Sequence, residues 1–296
     1  MSNIAVIGAG KWGQALHFAL NTKNPTAITS RKVRDIEHFC DLQTALGCEY
    51  LVIAIPAQEI RAWLKNNFIY SGQKVLVAAK GIEASSGSFL QEIYEQYVPR
   101  ENLGFISGPS FATEVMQGLP TALVINSAQE DFYYQFLEFF PQFIKTYYSA
   151  DVIGAEIAGA YKNVLAIASG ICDGLELGNN ARASLISRGL VEMERFGNHF
   201  GSKKDTFLGL SGAGDLFLTA SSTMSRNFRV GLGLAKNQSL EEILEDLGEV
   251  AEGVPTAKAI HLLGQQHDIY TPIANEVLHI LQGKDPQHSL KDLLKG

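Results

Sequence analysis

Short, uninterrupted apolar runs punctuate the first half of the chain, and longer stripes with helical spacing fill the second. Ile4–Ile7 follows a polar start and predicts a buried strand, with a helical pattern after it through Leu16 and Leu20. Residues 27–30, 50–55, 74–79 and 103–107 predict strands two to five, the third stopped by Pro56. Residues 122–125 and 144–148 predict later strands, and helical stretches such as 89–97 and 131–140 alternate with them. Strand–helix alternation of this kind predicts an α/β unit, a mostly parallel sheet covered on both faces.

After residue 148 the strand-like runs nearly stop, so the pattern predicts a dinucleotide-sized α/β domain over 1–149 and an all-helical domain over 150–296. The stretch 153–170 opens that second half. Ile157, Tyr161, Val164, Leu165 and Ala168 fall on one broad stripe. Lys162 lies on another face, among Ala155, Ala158, Gly159, Ala166 and Ser169. Such small neighbours leave room for something to lie against the helix. Read alone, the lysine fits a functional amine and equally a side chain that snorkels its charge to solvent. Residues 180–196 predict a second amphipathic helix, with Leu185, Leu190 and Met193 among its apolar positions.

Composition narrows the function class. With 296 residues, 46% of them hydrophobic and 19% charged, the chain has material for two cores. Its net charge of −7 and lack of a basic run exclude a nucleic-acid footprint, so local cations point to a small anionic ligand. Cys40, Cys48 and Cys172 form no paired motif, and the seven histidines show no ligand spacing, so neither a disulfide framework nor a metal site is expected. The first apolar run ends in glycines after a few residues, and no run is long enough to span a bilayer. The expectation is a cytoplasmic protein with no stable membrane insertion.

The candidate chemistry begins directly after the first strand, where Gly8-Ala9-Gly10-Lys11-Trp12-Gly13 matches GxGxxG in its strand–turn–helix context. Gly8 permits the tight turn, Gly10 lets backbone approach a pyrophosphate, and Gly13 lets helix and strand pack closely. The helix start at Lys11 and Trp12 offers backbone N–H groups to the anion. After strand two, where an NAD enzyme places an acid, stand Arg31, Lys32 and Arg34. That favours the 2′-phosphate of NADP(H), with NAD(H) still possible; the alternative is a solvated loop cluster. Lys80 follows strand four, and Gly108, Ser110 and Ala112 follow strand five, at the strand ends where doubly wound sheets bind ligands. In the helical half, the glycine-rich stretch 209–214 leads into Asp215, which can position a lysine amine, bond a substrate hydroxyl or cap a helix. Ser225-Arg226-Asn227 begins a helical pattern with a capping hydroxyl and a guanidinium, a combination suited to an anion.

These motifs occur in one order: GAGKWG, KG at Lys80, GPSFA, EIAGAYKNVLAIASG, GAGDLFLT, SRN and VAEGVPTA. From about residue 4 to about residue 282 the chain resembles NAD(P)-dependent glycerol-3-phosphate dehydrogenase. The resemblance implies a Rossmann-like, doubly wound domain followed by a helical domain, commonly as a homodimer. It implies reduction of dihydroxyacetone phosphate to sn-glycerol 3-phosphate for phospholipid synthesis, with Lys162 moving the proton at the reacting oxygen. Lys80, Gly108, Ser110, Asp215, Ser225, Arg226 and Asn227 then match substrate contacts. Trp12, Lys80, Ala112, Arg226, Val250 and Glu252 match positions that contact the cofactor. One departure is visible: residues 31–47 are fewer than is usual there, which leaves the residue holding a 2′-phosphate open among Arg31, Lys32 and Arg34. A ketopantoate reductase-like enzyme, or a non-catalytic NADPH sensor, would share the glycine turn. Neither needs Ser225-Arg226-Asn227 together with Lys162 and Asp215.

Overall fold

In the computed structural model, which describes residues 3–289, the run at Ile4–Ile7 forms strand β1 with all four side chains buried. Its alternate residues serve opposite layers. Ile4 and Val6 join one core with Ala15, Leu16 and Ile28, and Ala5 and Ile7 join another with Leu51, Ile60, Leu64 and Ile93. A strand covered on both faces has no polar side to show, which is why the sequence reads as an unbroken apolar run.

The remaining strands are β2 (Thr26–Thr29), β3 (Tyr50–Ile53), β4 (Lys74–Val77), β5 (Leu103–Ser107), β6 (Thr121–Ser127) and β7 (Ile144–Ser149). They form one sheet in the order β2-β1-β3-β4-β5-β6-β7. All neighbours are parallel except β5 and β6. The helices between them are α1 (Lys11–Asn21), α2 (Leu42–Leu46), α3 (Ile60–Asn67), α4 (Leu90–Tyr94), α5 (Ala112–Met116) and α6 (Glu130–Leu137). The chain between β5 and β6 carries the five-residue α5, and β6 returns antiparallel to β5. The link from β2 to β3 is brief. Residues 31–39 fold back until Phe39 bridges to Ile28, and the short α2 is capped by the Asp41 carboxylate, which accepts from the Thr44 N–H.

The second half is helical, with α7 (Val152–Gly174), α8 (Gly178–His199), α9 (Lys204–Leu208), α10 (Asp215–Ala220), α11 (Arg226–Ala235), α12 (Leu240–Leu247), α13 (Gly253–Gln266) and α14 (Pro272–Leu281). Helix α7 is buried along nearly its whole length and forms the centre of this unit, as expected for a helix that is apolar all round.

The chain divides into two compact units. One comprises the chain up to Lys80 with Leu90–Val152; the other comprises Gly81–Phe89 with the chain from Ile153 onward. The segment 81–89 therefore departs from a simple cut after residue 149. Ile82 and Phe89 pair across it and join the helical core, where the Phe89 and Phe200 rings lie 5.1 Å apart. Phe89, predicted to start a helix of the first domain, instead serves the second, because burying its ring there outweighs its local helical pattern.

Candidate active site

The glycine turn sits where the chain first moves from β1 to one neighbour, β2, and then to the other, β3, a topological switch point. Each glycine has its own physical reason. Gly8 has a φ of 108°, and a Cβ there would stand 2.5 Å from the Ala54 carbonyl oxygen at the end of β3. A Cβ on Gly13 would stand 1.8 Å from the Gly8 oxygen, so α1 touches the turn backbone directly. A Cβ on Gly10 would meet nothing within 4 Å. Gly10 is also the N-cap of α1 and carries no capping side chain. An open backbone concavity at an uncapped helix start fits a pyrophosphate. Lys11 is exposed beside it, while the half-buried Trp12 packs on the adjacent core. Arg31, Lys32 and Arg34 are all exposed on the segment after β2, and the Ser30 hydroxyl bonds the Lys32 carbonyl to shape it.

Along the same sheet edge, at the ends of β4 and β5, the Lys80 ammonium donates to the Gly108 carbonyl at 3.3 Å. The Ser110 hydroxyl donates to that carbonyl at 3.1 Å. Gly108 has a φ of 110°, and a Cβ there would lie 3.0 Å from the Ala122 oxygen, so the position requires glycine. Ala112 begins α5, which packs against α1. The structure thus gathers Lys80, Gly108 and Ser110 into one cluster; Arg31, Lys32 and Arg34 lie beyond the edge strand β2, at the far side of the glycine turn.

In the helical unit part of the room beside Lys162 is taken by the protein itself. Helix α10 lies against that face of α7, and the Ser169 hydroxyl donates to the Ala220 carbonyl. Lys162 does not snorkel. Its amine donates to Asp215 Oδ1 at 2.5 Å and to Thr219 Oγ1 at 3.1 Å, and the side chains of Lys162 and Asp215 are only 8% and 2% exposed. Thr219 in turn donates to Asp215 at 3.2 Å, so the three form a closed triangle. Burying a lone ammonium would be costly; the carboxylate and hydroxyl offset that cost. A wide turn over Leu210–Gly214 delivers Asp215 as the first residue of α10. Gly212 makes the turn possible, since a Cβ there would fall 2.2 Å from the Phe207 oxygen. Thr219 was not foreseen in the sequence, although its spacing of four from Asp215 places both on one helical face.

Tyr161, next to Lys162 on α7, meets a different buried carboxylate, Glu192 of α8, which plays a structural part. Glu192 accepts from the Tyr161 hydroxyl and from the Ile273 and Ala274 N–H groups at the start of α14. Burial pushes its carboxyl up, and burial beside Glu192 pushes the Tyr161 phenol up as well.

The start of α11 completes the constellation. Ser225 is its N-cap, its hydroxyl accepting from the Phe228 N–H. Arg226 follows with a half-exposed guanidinium 3.5 Å from Glu249. Asn227 turns inward: its amide donates to Asn163 at 2.9 Å, and its carbonyl oxygen accepts from the Gly253 N–H at 3.0 Å. That second bond fixes the end of the α12–α13 connection, which carries the half-exposed Val250 and Glu252. Asn163 and Gly253, which lie inside the motifs around Lys162 and Glu252, and Glu249, which lies outside them, are members of this cluster that the sequence did not single out.

Comparison with known proteins agrees along the whole chain. The family model described as NAD-dependent glycerol-3-phosphate dehydrogenase N-terminus matches residues 32–133, and its C-terminal counterpart matches residues 151–291. The glycerol-3-phosphate dehydrogenase [NAD(P)+] of Sulfurimonas denitrificans is 63% identical over 296 residues, covering all of both chains.

The chain belongs to the glycerol-3-phosphate dehydrogenase family.

A relative of the same name from Campylobacter jejuni is 62% identical over 99% of this chain and 98% of its own. Among solved structures, the glycerol-3-phosphate dehydrogenase of Coxiella burnetii superposes with a TM-score of 0.91 at 34% identity, covering 100% of this chain and 99% of that one. Among the described residues, no helix is long and apolar enough to cross a membrane.

Proposed function

We propose that this enzyme interconverts dihydroxyacetone phosphate and sn-glycerol 3-phosphate with NAD(P)(H). The observation that carries the reading is the buried triangle of Lys162, Asp215 and Thr219. When bound, the reduced nicotinamide supplies a hydride to the substrate C2. Lys162 stabilises the negative charge that develops on the C2 oxygen and delivers its proton. Asp215 and Thr219 hold the amine in place, so that little reorganisation is needed when the charge appears. Arg226 and the first backbone N–H groups of α11 receive the substrate phosphate. Ser225 and Asn227 support that grip by capping and tethering the helix. Lys80, held by Gly108 beside Ser110, provides a cation at the ends of β4 and β5, and Gly8, Gly10, Lys11, Trp12, Gly13 and Ala112 form the cofactor bed of the sheet unit.

NADPH is the preferred cofactor in this reading, because Arg31, Lys32 and Arg34 replace the usual acid. Dissociation constants for NADPH and NADH check this. Neutralising the three cations in turn is expected to weaken NADPH, with charge-assisted bonds worth about 1.5–3 kcal/mol each before screening. NADH should hardly respond. The reading further includes a cytoplasmic homodimer that supplies phospholipid synthesis; sedimentation velocity tests the dimer.

The deciding experiment measures kcat/KM for dihydroxyacetone phosphate, dihydroxyacetone and ketopantoate with NADPH. Dihydroxyacetone phosphate is expected to be used best by a wide margin. Preference for ketopantoate would return the case to the rival reductase.

A further inference from the structure

Helices α7 and α11 cross with no side chain between them. A Cβ on Gly170 would stand 2.0 Å from the Phe228 carbonyl oxygen, and one on Gly231 would stand 2.1 Å from the Ile167 oxygen and 2.8 Å from the Gly170 Cα. Further along, a Cβ on Gly174 would meet the Ala235 Cβ at 2.6 Å. The contacts run in the same direction along both helices: Asn163 with Asn227, Ile167 with Gly231, Gly174 with Ala235. Upstream of the crossing, α7 carries Lys162 and α11 begins with Ser225-Arg226-Asn227. The Asn163–Asn227 hydrogen bond ties those two ends together.

We propose that the Gly170–Gly231 contact is a spacer that sets the distance between the proton-donating lysine and the phosphate-gripping helix start. Gly231 is thereby a positioning and specificity-determining residue. The inference rests on the functional reading above. The few bonds between the carbonyl and the phosphate of a ketone phosphate limit the span between them. Two rigid helices locked backbone to backbone present an ammonium and an anion site at one separation. Side-chain packing would let that separation drift, because side chains repack when helices slide. Two touching backbones cannot come closer, and the asparagine tie keeps them from parting at the end that matters. The arrangement rewards a substrate whose phosphate and ketone match the span, and it offers nothing to one that lacks the phosphate.

Gly231→Ala tests this. The added methyl pushes against backbone, so α11 must move away from α7. For dihydroxyacetone phosphate, KM should rise and kcat should fall, with a combined loss of about 10²-fold, the scale expected for a displacement near 1 Å. Unphosphorylated dihydroxyacetone, which never uses the second anchor, should be turned over nearly as by the parent. Gly189→Ala is the control. Its Cβ would meet the Leu165 side chain at 2.6 Å, straining α8 against α7 without touching α11. It should lower the Tm and leave the ratio of the two substrates unchanged. If Gly231→Ala does not fold, Gly174→Ala strains the same crossing against a side chain and should shift the ratio in the same direction by less. A ratio unmoved by either variant, or one that Gly189→Ala moves equally, overturns the spacer. A parent that uses dihydroxyacetone as well as its phosphate overturns the functional reading, and the spacer with it.

Discussion

Two ion pairs in the helical unit make opposite use of the same chemistry. Lys162 and Asp215 are almost wholly buried and 2.5 Å apart, closed by Thr219. Arg226 and Glu249 are 44% and 30% exposed, 3.5 Å apart at the start of α11. The first pair has left water and cannot be exchanged without stranding a charge, which makes it a fixed part of the fold. The second is screened and weakly held. A phosphate offers the guanidinium a better, two-point partner than a single carboxylate oxygen. Placing the proton at a fixed point and letting the anion site trade partners are separate tasks, and burial is what separates them.

The sharpest way to break this contrast is at the lysine. Lys162→Ala is expected to lower kcat by about 10²–10⁴-fold while NADPH still binds, read by steady-state turnover and a cofactor titration. Activity within a few-fold of the parent would remove the proton-transfer role. Next, Asp215→Asn leaves the buried ammonium without its counter-charge, at a cost of about 3–5 kcal/mol in denaturant unfolding. The double variant Lys162→Met with Asp215→Leu should recover much of that loss yet remain inactive. A stable Asp215→Asn enzyme would mean that the pair is not confined as described.

On the exposed side the effects shrink. Arg226→Ala should raise the KM for dihydroxyacetone phosphate by roughly tenfold or more, in line with a lost charge-assisted bond. It should scarcely touch the poor use of dihydroxyacetone, and equal harm to both would remove the phosphate role. Smallest of all, Glu249→Gln frees the guanidinium of a competing carboxylate. It should tighten competitive inhibition by inorganic phosphate by a few-fold at most, as befits a surface pair. Weaker phosphate inhibition would instead show that Glu249 supports the anion site.

Much of this was legible before any coordinates. The seven strands and the turn after β1 follow from unbroken apolar runs and GxGxxG, which are local patterns with local causes. Even the Ser225 cap could be read, because a cap bonds to a backbone N–H three residues away. The companions of Lys162 could not. Asp215 and Thr219 lie 53 and 57 residues along the chain, and no periodicity links such positions. Asn227 reads as a phosphate ligand beside Ser225 and Arg226; what the sequence does not show is that its amide also donates to Asn163 and its carbonyl oxygen accepts from the Gly253 N–H. Phe89 followed its buried ring into the helical core rather than its local pattern.

The sequence by itself determined the order of strands and helices, the open backbone at Gly10, and the helix start at Ser225, since each depends on neighbours within a few residues. Only the tertiary structure decided that part of the space beside Lys162 belongs to α10, that Asn227 is a tether, and that Gly170 and Gly231 exist to let two backbones touch. Those outcomes depend on which buried groups find partners across the fold, and a partner is chosen by packing in three dimensions, where separation along the chain counts for nothing.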